Sequence, residues 1–251
     1  MENDDFAPLL RRAEDLARQA EKSGTVRSTG FLTPAERQYI ERRLRTAGGC
    51  EPVFSGGREG CERCCAFFLP DYMTADQLEA SDYISAIKLT AHFGEPGHRD
   101  YMGAILAMGV GRQWVGDISV DGETAYIICL PSVLKHLLSI DKVGSCAVTA
   151  EEIPLQSLPT TRVETRSRSF SVMSMRLDAV VAGMFGLSRT ESARQISAGN
   201  VNVNYIQCLK SDCPARAGDI ISLRGSGKGV VTGTGGASRK GRLFVNAEIY
   251  L

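Results

Sequence analysis

Arginines at regular positions in the last third of the chain could bind the phosphates of RNA. Arg176 precedes one predicted helix, Arg189 falls in the first turn of a second, and Arg194 follows on that second helix. Free backbone N–H groups at a helix start already favour an anion, and an arginine adds a forked, charged donor. This spacing predicts a compact surface that contacts folded RNA through its phosphates.

Other polar side chains extend the predicted RNA contacts beyond these arginines. Asn202 and Asn204 lie on the polar face of a predicted strand, where their amides could contact sugars or base edges. The predicted RNA-binding residues are Arg176, Ser188, Arg189, Arg194, Asn202, Asn204, Lys210, Arg224, Lys228, Arg239 and Lys240. We expect the last five of them to form a peripheral electrostatic rim.

Two short helices and two strands are predicted to position these side chains. Apolar residues recur at helical spacing over Leu177–Met184 and predict one buried stripe. Ser188 with Glu191 three residues later is the pattern of a capping box, which predicts the start of the second helix. Gly186 and Gly199 are expected to end the two helices. The predicted strands that follow are Val201–Val203 and Ile220–Leu223.

The order of these motifs resembles the S-four RNA-binding domain, which is named after ribosomal small-subunit protein four. The resemblance rests on Arg-Leu-Asp, Ser-Arg, Ala-Arg-Gln-Ile, Gly-x-Val-x-Val-Asn and Gly-Asp-x-Ile, and it covers about residues 174–228. It implies that this part of the chain binds structured RNA. Tyr205 departs from the family pattern, because many members have glycine after the asparagine.

Charge is divided unevenly along the chain, although the whole is neutral with 29 basic and 29 acidic residues. Residues 160–251 contain 13 Lys and Arg against 6 Asp and Glu, a net charge of +7. Residues 1–159 contain 16 against 23, a net charge of −7. The basic third is therefore expected to engage a polyanion, while the acidic remainder orients the molecule or contacts a protein.

A glycine-rich basic segment extends from Arg224 to Arg242. A phosphate-binding P-loop is excluded, because Ser222 stands where the first glycine is required and Gly229 replaces the hydroxyl residue after Lys228. We interpret the segment as a flexible basic loop that lies along a nucleic-acid backbone. The compatible alternative is a disordered connection in a hairpin whose last strand is Leu243–Tyr250.

The first two-thirds of the chain predict two further small domains, and the expected fold class is α+β. Residues 1–75 are predicted to form an N-terminal α/β domain. Residues 76–153 follow the order β-α-β-β-α-β of a ferredoxin-like, RRM-like domain. The aromatic pair with which such sheets stack bases is not evident, so a scaffold or protein-docking role is the alternative. Residues 154–173 are a linker and strand, and residues 174–251 are the S-four-type domain with a basic C-terminal extension.

Metal binding and catalysis are not expected. Cys61, Cys64 and Cys65 suggest a zinc motif, but no histidine is nearby and a second cysteine pair is missing, so reduced thiols are predicted. Arg176-Leu177-Asp178 resembles the motif around the catalytic aspartate of pseudouridine synthases, yet too little chain follows for such an enzyme. No glycine-rich site for a methyltransferase cofactor follows, and the three histidines lack a nucleophile partner. We therefore predict a non-enzyme without a cofactor.

Motifs in the first two-thirds resemble the YlmH-type proteins, and with the end of the chain this resemblance spans nearly the full length. They are Phe54-x-Gly56-Gly57, Pro70-Asp71-Tyr72, the run from Gly94 to Arg112, and Val115-Gly116-Asp117-Ile118. The resemblance implies a bacterial RNA-binding protein of the division gene neighbourhood, implicated in ribosome-associated quality control on large subunits blocked by peptidyl-tRNA.

The implied partners are large-subunit rRNA, tRNA, the large ribosomal subunit, and a quality-control or division protein. A cytoplasmic location without a membrane partner is expected, since no apolar run approaches a membrane span and the acidic start lacks a positive n-region. The alternative function is a cell-division-associated interaction protein whose RNA binding is secondary.

Overall fold

The computed structural model describes residues 6–47, 51–159, 165–237 and 241–250. Helices and several β-sheets occur together in an α+β fold. The chain divides into two compact units, residues 1–161 and residues 162–251. None of the helices in the described segments combines the length and the apolar character needed to span a bilayer.

The first unit begins with two helices around a small antiparallel sheet. Its elements are α1 (Ala7–Ser23), β1 (Arg27–Ser28), α2 (Pro34–Ala47), β2 (Val53–Ser55) and β3 (Cys65–Phe68), with strand order β1-β3-β2. A capping box starts α2. The backbone N–H of Thr33 donates to the Glu36 carboxylate at 2.6 Å, and that of Glu36 donates to the Thr33 hydroxyl at 3.3 Å.

A five-stranded antiparallel sheet follows in the same unit. Its elements are β4 (Ser85–Ala91), α3 (His98–Ala107), β5 (Val115–Asp121), β6 (Thr124–Cys129), α4 (Pro131–Leu137), β7 (Lys142–Val143) and β8 (Cys146–Ile153). The strand order is β5-β6-β4-β8-β7, so β4, the first of these strands in the chain, lies in the middle. The helices pack on one face over a core that includes Leu89, Ile105, Ile127 and Leu137.

The two sheets of the first unit share a second core on the other side. Phe31 and Phe67 from the three-stranded part of the unit pack with Ile84, Ile128 and Leu155 from the part that contains the five-stranded sheet. Burial of these apolar side chains against one another joins the two segments predicted as separate domains into one compact unit.

A polar clamp reinforces this junction. The Asp117 carboxylate accepts hydrogen bonds from the backbone N–H groups of Glu62 at 2.8 Å and Arg63 at 3.0 Å. The Arg63 guanidinium donates to the carbonyl oxygens of Phe31, Arg112 and Val115. Burial lowers the pKa of Arg63, and these carbonyl acceptors satisfy its partly buried donors.

The second unit is one sheet with two helices on one face. Its elements are β9 (Thr165–Val172), α5 (Leu177–Phe185), α6 (Arg189–Ser197), β10 (Val201–Val203), β11 (Ile206–Gln207), β12 (Ile220–Leu223), β13 (Gly227–Ala237) and β14 (Leu243–Tyr250). The strand order is β11-β10-β12-β13-β14-β9, with every neighbouring pair antiparallel. Val181 and Ile196 from the helices pack on Ile221, Val231 and Val245 from the sheet.

Most of the glycine-rich basic segment is a strand, which contradicts its interpretation as a flexible loop. β13 pairs with both β12 and β14, and two irregularities in its register with β14 give it bulges. At Gly229 a Cβ atom would lie 2.8 Å from the carbonyl oxygen of Glu248 and 3.1 Å from the Met184 sulfur. Glycine at this position permits close approach within the sheet.

Candidate nucleic-acid interface

The start of α5 is held by the loop that precedes β12. The backbone N–H of Leu177 donates to the Cys213 carbonyl at 2.8 Å, and that of Asp178 donates to the Ser211 carbonyl at 3.0 Å. These two N–H groups are therefore occupied within the protein. An anion at this end of α5 would have to bind arginine side chains, since the first backbone donors already have partners.

Asp178 brings two of the predicted arginines together, and we call Arg176, Asp178 and Arg189 the arginine cluster. The Asp178 carboxylate accepts from the Nε and Nη2 atoms of Arg176 at 3.2 and 3.1 Å, and from Nη2 of Arg189 at 3.0 Å. The side chain of Asp178 is only 9 % exposed, whereas those of Arg176 and Arg189 are 41 % and 59 % exposed. A buried carboxylate thus anchors two guanidinium groups that reach the surface.

The electrostatics of the arginine cluster favour the charged forms of Asp178 and Arg176. Burial acts to raise the pKa of Asp178, but the hydrogen bonds and positive charges of Arg176 and Arg189 outweigh it and lower that pKa. The hydrogen bond to Asp178 raises the pKa of Arg176. The cluster therefore carries two positive charges against one negative charge at neutral pH.

The start of α6 forms only half of the predicted capping box. The Ser188 hydroxyl accepts from the backbone N–H of Glu191 at 3.1 Å, so Ser188 has a structural role as the N-cap. The Glu191 side chain does not return to Ser188. It accepts instead from Nε and Nη2 of Arg194 at 2.9 and 2.7 Å and from Gln195 at 2.7 Å.

Arg194 is therefore a paired surface arginine. Its side chain is 72 % exposed, and its hydrogen bonds, followed by that of Gln195, lower the pKa of Glu191 to about 2. An incoming phosphate would share this guanidinium with Glu191 or displace the carboxylate, because a bidentate pair uses the fork that phosphate would bind. Arg194 is a weaker candidate contact than Arg189 for this reason.

The side-chain amide of Asn204 is hydrogen-bonded to residues next to its own hairpin. Its amide nitrogen donates to Asp219 at 2.8 Å, and its amide oxygen accepts from the backbone N–H of Ile220 at 2.9 Å. Asn204 and Tyr205 both have left-handed backbone, with φ of 50° and 65°. Two consecutive positive φ values between paired strands are typical of a type I′ turn. We therefore assign Asn204 a structural role and do not retain it as a base or sugar contact.

Asn202 and Lys228 lie on the opposite side of the sheet from α5 and α6. Val201 and Val203 point into the core under the helices, so the intervening Asn202 faces away from them. The register aligns Asn202 with Ser222 and Ser222 with Lys228. The predicted site residues are thus divided between two surfaces. One is the helix side with the arginine cluster, and the other is the face of the sheet that α5 and α6 do not cover.

The remaining rim residues lie in loops and strand ends of the second unit. Lys210 is exposed in the loop that holds the start of α5, and Arg224 is exposed in the turn between β12 and β13. Lys228 is half-buried with its Nζ 4.8 Å from the centroid of the Tyr250 ring, and burial lowers its pKa. Arg239 and Lys240 fall outside the described residues.

Two residues that the sequence reasoning did not include among the site residues organise this surface. Asp178 could have been found from the sequence, because an acid two positions after an arginine at a helix start can pair with it. Arg168 donates to the Met184 carbonyl at 3.2 Å and so satisfies the C-terminal end of α5. Its role depends on which face of β9 the helix covers, and no local pattern indicates that.

The surroundings of Cys61 and Cys65 in the predicted cysteine motif favour protonated thiols. Burial is the main cause that raises the pKa of Cys61 to about 11 and that of Cys65 to about 12. A metal ligand must be a thiolate, which this environment disfavours. The described segments contain no group of three or more His, Cys, Asp or Glu side chains placed to hold a metal ion.

Comparison with known proteins adds independent information. Residues 79–157 match the family model described as "Putative RNA-binding domain in YlmH". The "Ribosome-associated protein quality control protein P2" of Bacillus subtilis (strain 168) is 29 % identical over 246 residues, covering 97 % of this chain and 95 % of that protein. A solved structure, "Cell division protein ylmH from Streptococcus pneumoniae", matches with a TM-score of 0.51 and 24 % identity over 62 % of this chain and 95 % of that chain.

Proposed function

We propose that this chain, which is a YlmH-type protein, is a non-catalytic RNA-binding protein that holds structured RNA on the helix side of its second unit. The observation that carries the proposal is the arginine cluster, in which one buried carboxylate anchors two exposed guanidinium groups. Within this proposal the second unit is an S-four-type RNA-binding domain.

Net charge favours the second unit as the main RNA-binding surface over residues 79–157, the segment that matches the family model. Residues 79–157 contain 5 Lys and Arg against 10 Asp and Glu, a net charge of −5. Residues 160–251 have a net charge of +7. Because phosphate neutralisation and counterion release supply much of the affinity for nucleic acid, the basic unit should dominate binding. We assign the central segment, as a ferredoxin-like domain, a scaffold or docking role.

The arginine cluster supplies phosphate donors in a fixed arrangement. Each guanidinium has five N–H donors, and the bonds to Asp178 use two from Arg176 and one from Arg189. The other donors belong to groups that are about half exposed. Because Asp178 restricts both side chains before RNA arrives, less conformational entropy is lost on binding than with two flexible arginines.

We further propose that the bound RNA is large-subunit rRNA together with tRNA, on large ribosomal subunits in ribosome-associated quality control. Support comes from the name of the Bacillus subtilis relative, which aligns over nearly the whole of both chains. A second candidate is a cell-division-associated interaction protein with secondary RNA binding. The name of the Streptococcus pneumoniae structure and the net charge of −7 on residues 1–159 favour that alternative.

Sedimentation of cell lysate tests the ribosomal proposal. Tagged parent protein is expected to co-migrate with large subunits in a sucrose gradient, with tRNA enriched in the same fractions. The variant Arg189→Ala with Arg194→Ala should remain at the top. Arg11→Ala with Arg12→Ala is the matched control, because it removes two exposed positive charges from α1 in the first unit. Parent protein that stays at the top would contradict the proposal.

Salt dependence tests the phosphate assignment separately from the ribosome. With a purified RNA hairpin, the slope of log K against log salt should become shallower by about one unit for each phosphate contact removed. The double arginine variant should therefore lose about two units, and the α1 control should lose none. An unchanged slope and affinity in the double variant would refute the assignment of Arg189 and Arg194.

A further inference from the structure

The face of the six-stranded sheet that α5 and α6 leave uncovered has a distinctive chemistry. We call it the open face and define it by the outward-pointing residues of the strands: Thr165, Ser167, Ser169, Ser171, Asn202, Gln207, Ile220, Ser222, Lys228, Val230, Phe244, Asn246, Glu248 and Tyr250. All of them are exposed or half-buried. Hydroxyl and amide groups therefore form most of a surface that is available to a ligand.

Two aromatic side chains mark the ends of β14 on the open face. Phe244 and Tyr250 are six positions apart on one strand, which places them on the same side and about 20 Å apart along the strand. Phe244 is 45 % exposed. On the neighbouring strand β13, Gly235 lies next to Phe244, and a Cβ added at Gly235 would be 3.3 Å from the Phe244 Cβ. The ring thus stands beside a glycine at a bulge of β13, where no side chain separates it from the neighbouring strand.

A polar row crosses the sheet to meet the second aromatic. The register aligns Gln207 with Asn202, Asn202 with Ser222, and Ser222 with Lys228. The ammonium group of Lys228 then lies 4.8 Å from the centroid of the Tyr250 ring. A cation against an aromatic ring beside amide and hydroxyl groups can bind a phosphate, a base face and a sugar hydroxyl at adjacent positions.

The charge of the open face suits a polyanion. Its outward strand residues include one carboxylate, Glu248, which accepts a hydrogen bond from the Thr165 hydroxyl at 3.3 Å. Lys228 lies within the face, and Arg224 and Arg242 flank it at the ends of β12 and β14. The unit to which it belongs has a net charge of +7. A protein partner would favour a contiguous apolar patch, whereas here polar rows separate Phe244 from Tyr250.

We propose that the open face binds a single-stranded RNA segment, with one base stacked on Phe244 and another on Tyr250. Single-stranded bases are accessible for stacking on a sheet, whereas the bases of a duplex are covered by their neighbours. The inference rests on the proposed function in one respect, because the single-stranded RNA segment is continuous with the structured RNA held on the helix side. It adds a second surface and a second class of RNA to that function.

Binding of tailed and blunt RNA hairpins to the full chain tests this inference. The ligands are one hairpin with a ten-uridine tail, the same hairpin without the tail, and the ten-uridine oligonucleotide alone. Stacking is worth roughly tenfold in affinity for each base. The parent protein is therefore expected to bind the tailed hairpin at least about tenfold more tightly than the blunt one.

Two variants that disrupt the open face and two controls locate the effect. Phe244→Ala with Tyr250→Ala should abolish the gain from the tail and leave affinity for the blunt hairpin unchanged. Ser167→Glu with Ser169→Glu changes only exposed side chains of β9 and should reduce the same gain by repulsion. Tyr250→Phe retains the ring and should retain the gain. Arg189→Ala with Arg194→Ala should weaken binding of the hairpin and retain the gain from the tail.

The outcomes separate the two proposals. Equal affinity of the parent for tailed and blunt hairpins would overturn the inference, as would a gain that survives in both open-face variants. If the blunt hairpin does not bind at all, the proposed function fails. The oligonucleotide alone then decides the inference, which is supported if its binding is lost in both open-face variants and overturned if the parent does not bind it.

Discussion

At the scale of single residues, Asp178 determines whether two arginines form one site. Arg176 and Arg189 are 13 positions apart in the sequence, and each alone would be a flexible surface side chain. Their hydrogen bonds to the carboxylate of one buried aspartate place both guanidinium groups at the starts of α5 and α6. The negative charge of Asp178 thus organises a positive surface.

Asp178→Asn should lower both stability and RNA affinity. The amide is neutral and has a single acceptor oxygen, so at least one hydrogen bond to a charged guanidinium is lost and the remaining ones are weakened. The expected cost is roughly 1–3 kcal/mol in the free energy of unfolding. Chemical denaturation at pH 7 measures that loss, and anisotropy with an RNA hairpin measures affinity. Unaltered stability would show that the carboxylate does not anchor the arginines.

The same variant should also change the acid dependence of stability. The pKa of Asp178 is lowered in the folded protein, so its stabilising contribution is complete above its ordinary value of about 3.8 and is lost as pH falls through the folded value. The difference in free energy of unfolding between parent and Asp178→Asn should therefore shrink as pH falls below 3.8. A difference that stays constant from pH 7 to pH 2 would contradict this linkage.

Tyr205 is a strained residue in the turn between β10 and β11. Its backbone φ of 65° is rarely adopted by residues other than glycine and asparagine. Tyr205→Gly should remove that strain and stabilise the protein by about 1 kcal/mol. Asn204→Gly, at the adjacent position with φ of 50°, should instead destabilise it, because the bonds to Asp219 and Ile220 are lost. Thermal melting of both variants distinguishes strain from general sensitivity of the turn.

At the scale of elements, α5 is seated on the sheet through a glycine. A Cβ at Gly183 would lie 2.0 Å from Cδ2 of the Phe170 ring on β9. Helix α3 contains Gly103, where a Cβ would meet nothing within 4 Å. The two helices thus offer one glycine in tight contact and one in open space.

Alanine at these two glycines should have opposite effects on stability. Gly103→Ala should stabilise by about 1 kcal/mol, because alanine is the better helix former. Gly183→Ala should destabilise, because overpacking costs about 1–3 kcal/mol and outweighs that gain. Calorimetry of the two variants provides the comparison. If Gly183→Ala melts at or above the parent, the contact with Phe170 does not constrain α5.

Elements set by local chemistry were predictable from the sequence, and elements set by distant partners were not. The capping residue Ser188 and the helix-ending glycines Gly186 and Gly199 act within one turn, so their pattern indicates their structure. The glycine-rich composition of β13 resembles that of a loop, but the segment is paired with strands on both sides. At Gly229 the close approach of Glu248 and Met184 requires glycine, and no local pattern indicates those distant partners. The separation of Asn202 from the arginine cluster likewise depends on which face the helices cover.

At the scale of the whole molecule, charge is divided between the two units. Among the described residues, the first unit contains three buried cores and the acidic part of the sequence, and the second contains one core and the basic part. The family model for an RNA-binding domain matches within the first unit, at residues 79–157. The arginine cluster and the open face both belong to the second unit. The two units are therefore rival locations for the dominant RNA contact.

Hydrogen exchange of the full chain with and without an RNA hairpin decides between these locations. A ligand at a hundred times its Kd stabilises the state it binds by about 2.7 kcal/mol, which slows exchange through unfolding of that state by about a hundredfold. Because attraction to phosphates follows the net charge, we expect this protection in α5, α6 and the sheet of the second unit, with residues 79–157 unchanged. Protection centred on β4 and β6 instead would show that the central sheet binds RNA despite its net charge of −5, through contacts that outweigh electrostatic repulsion.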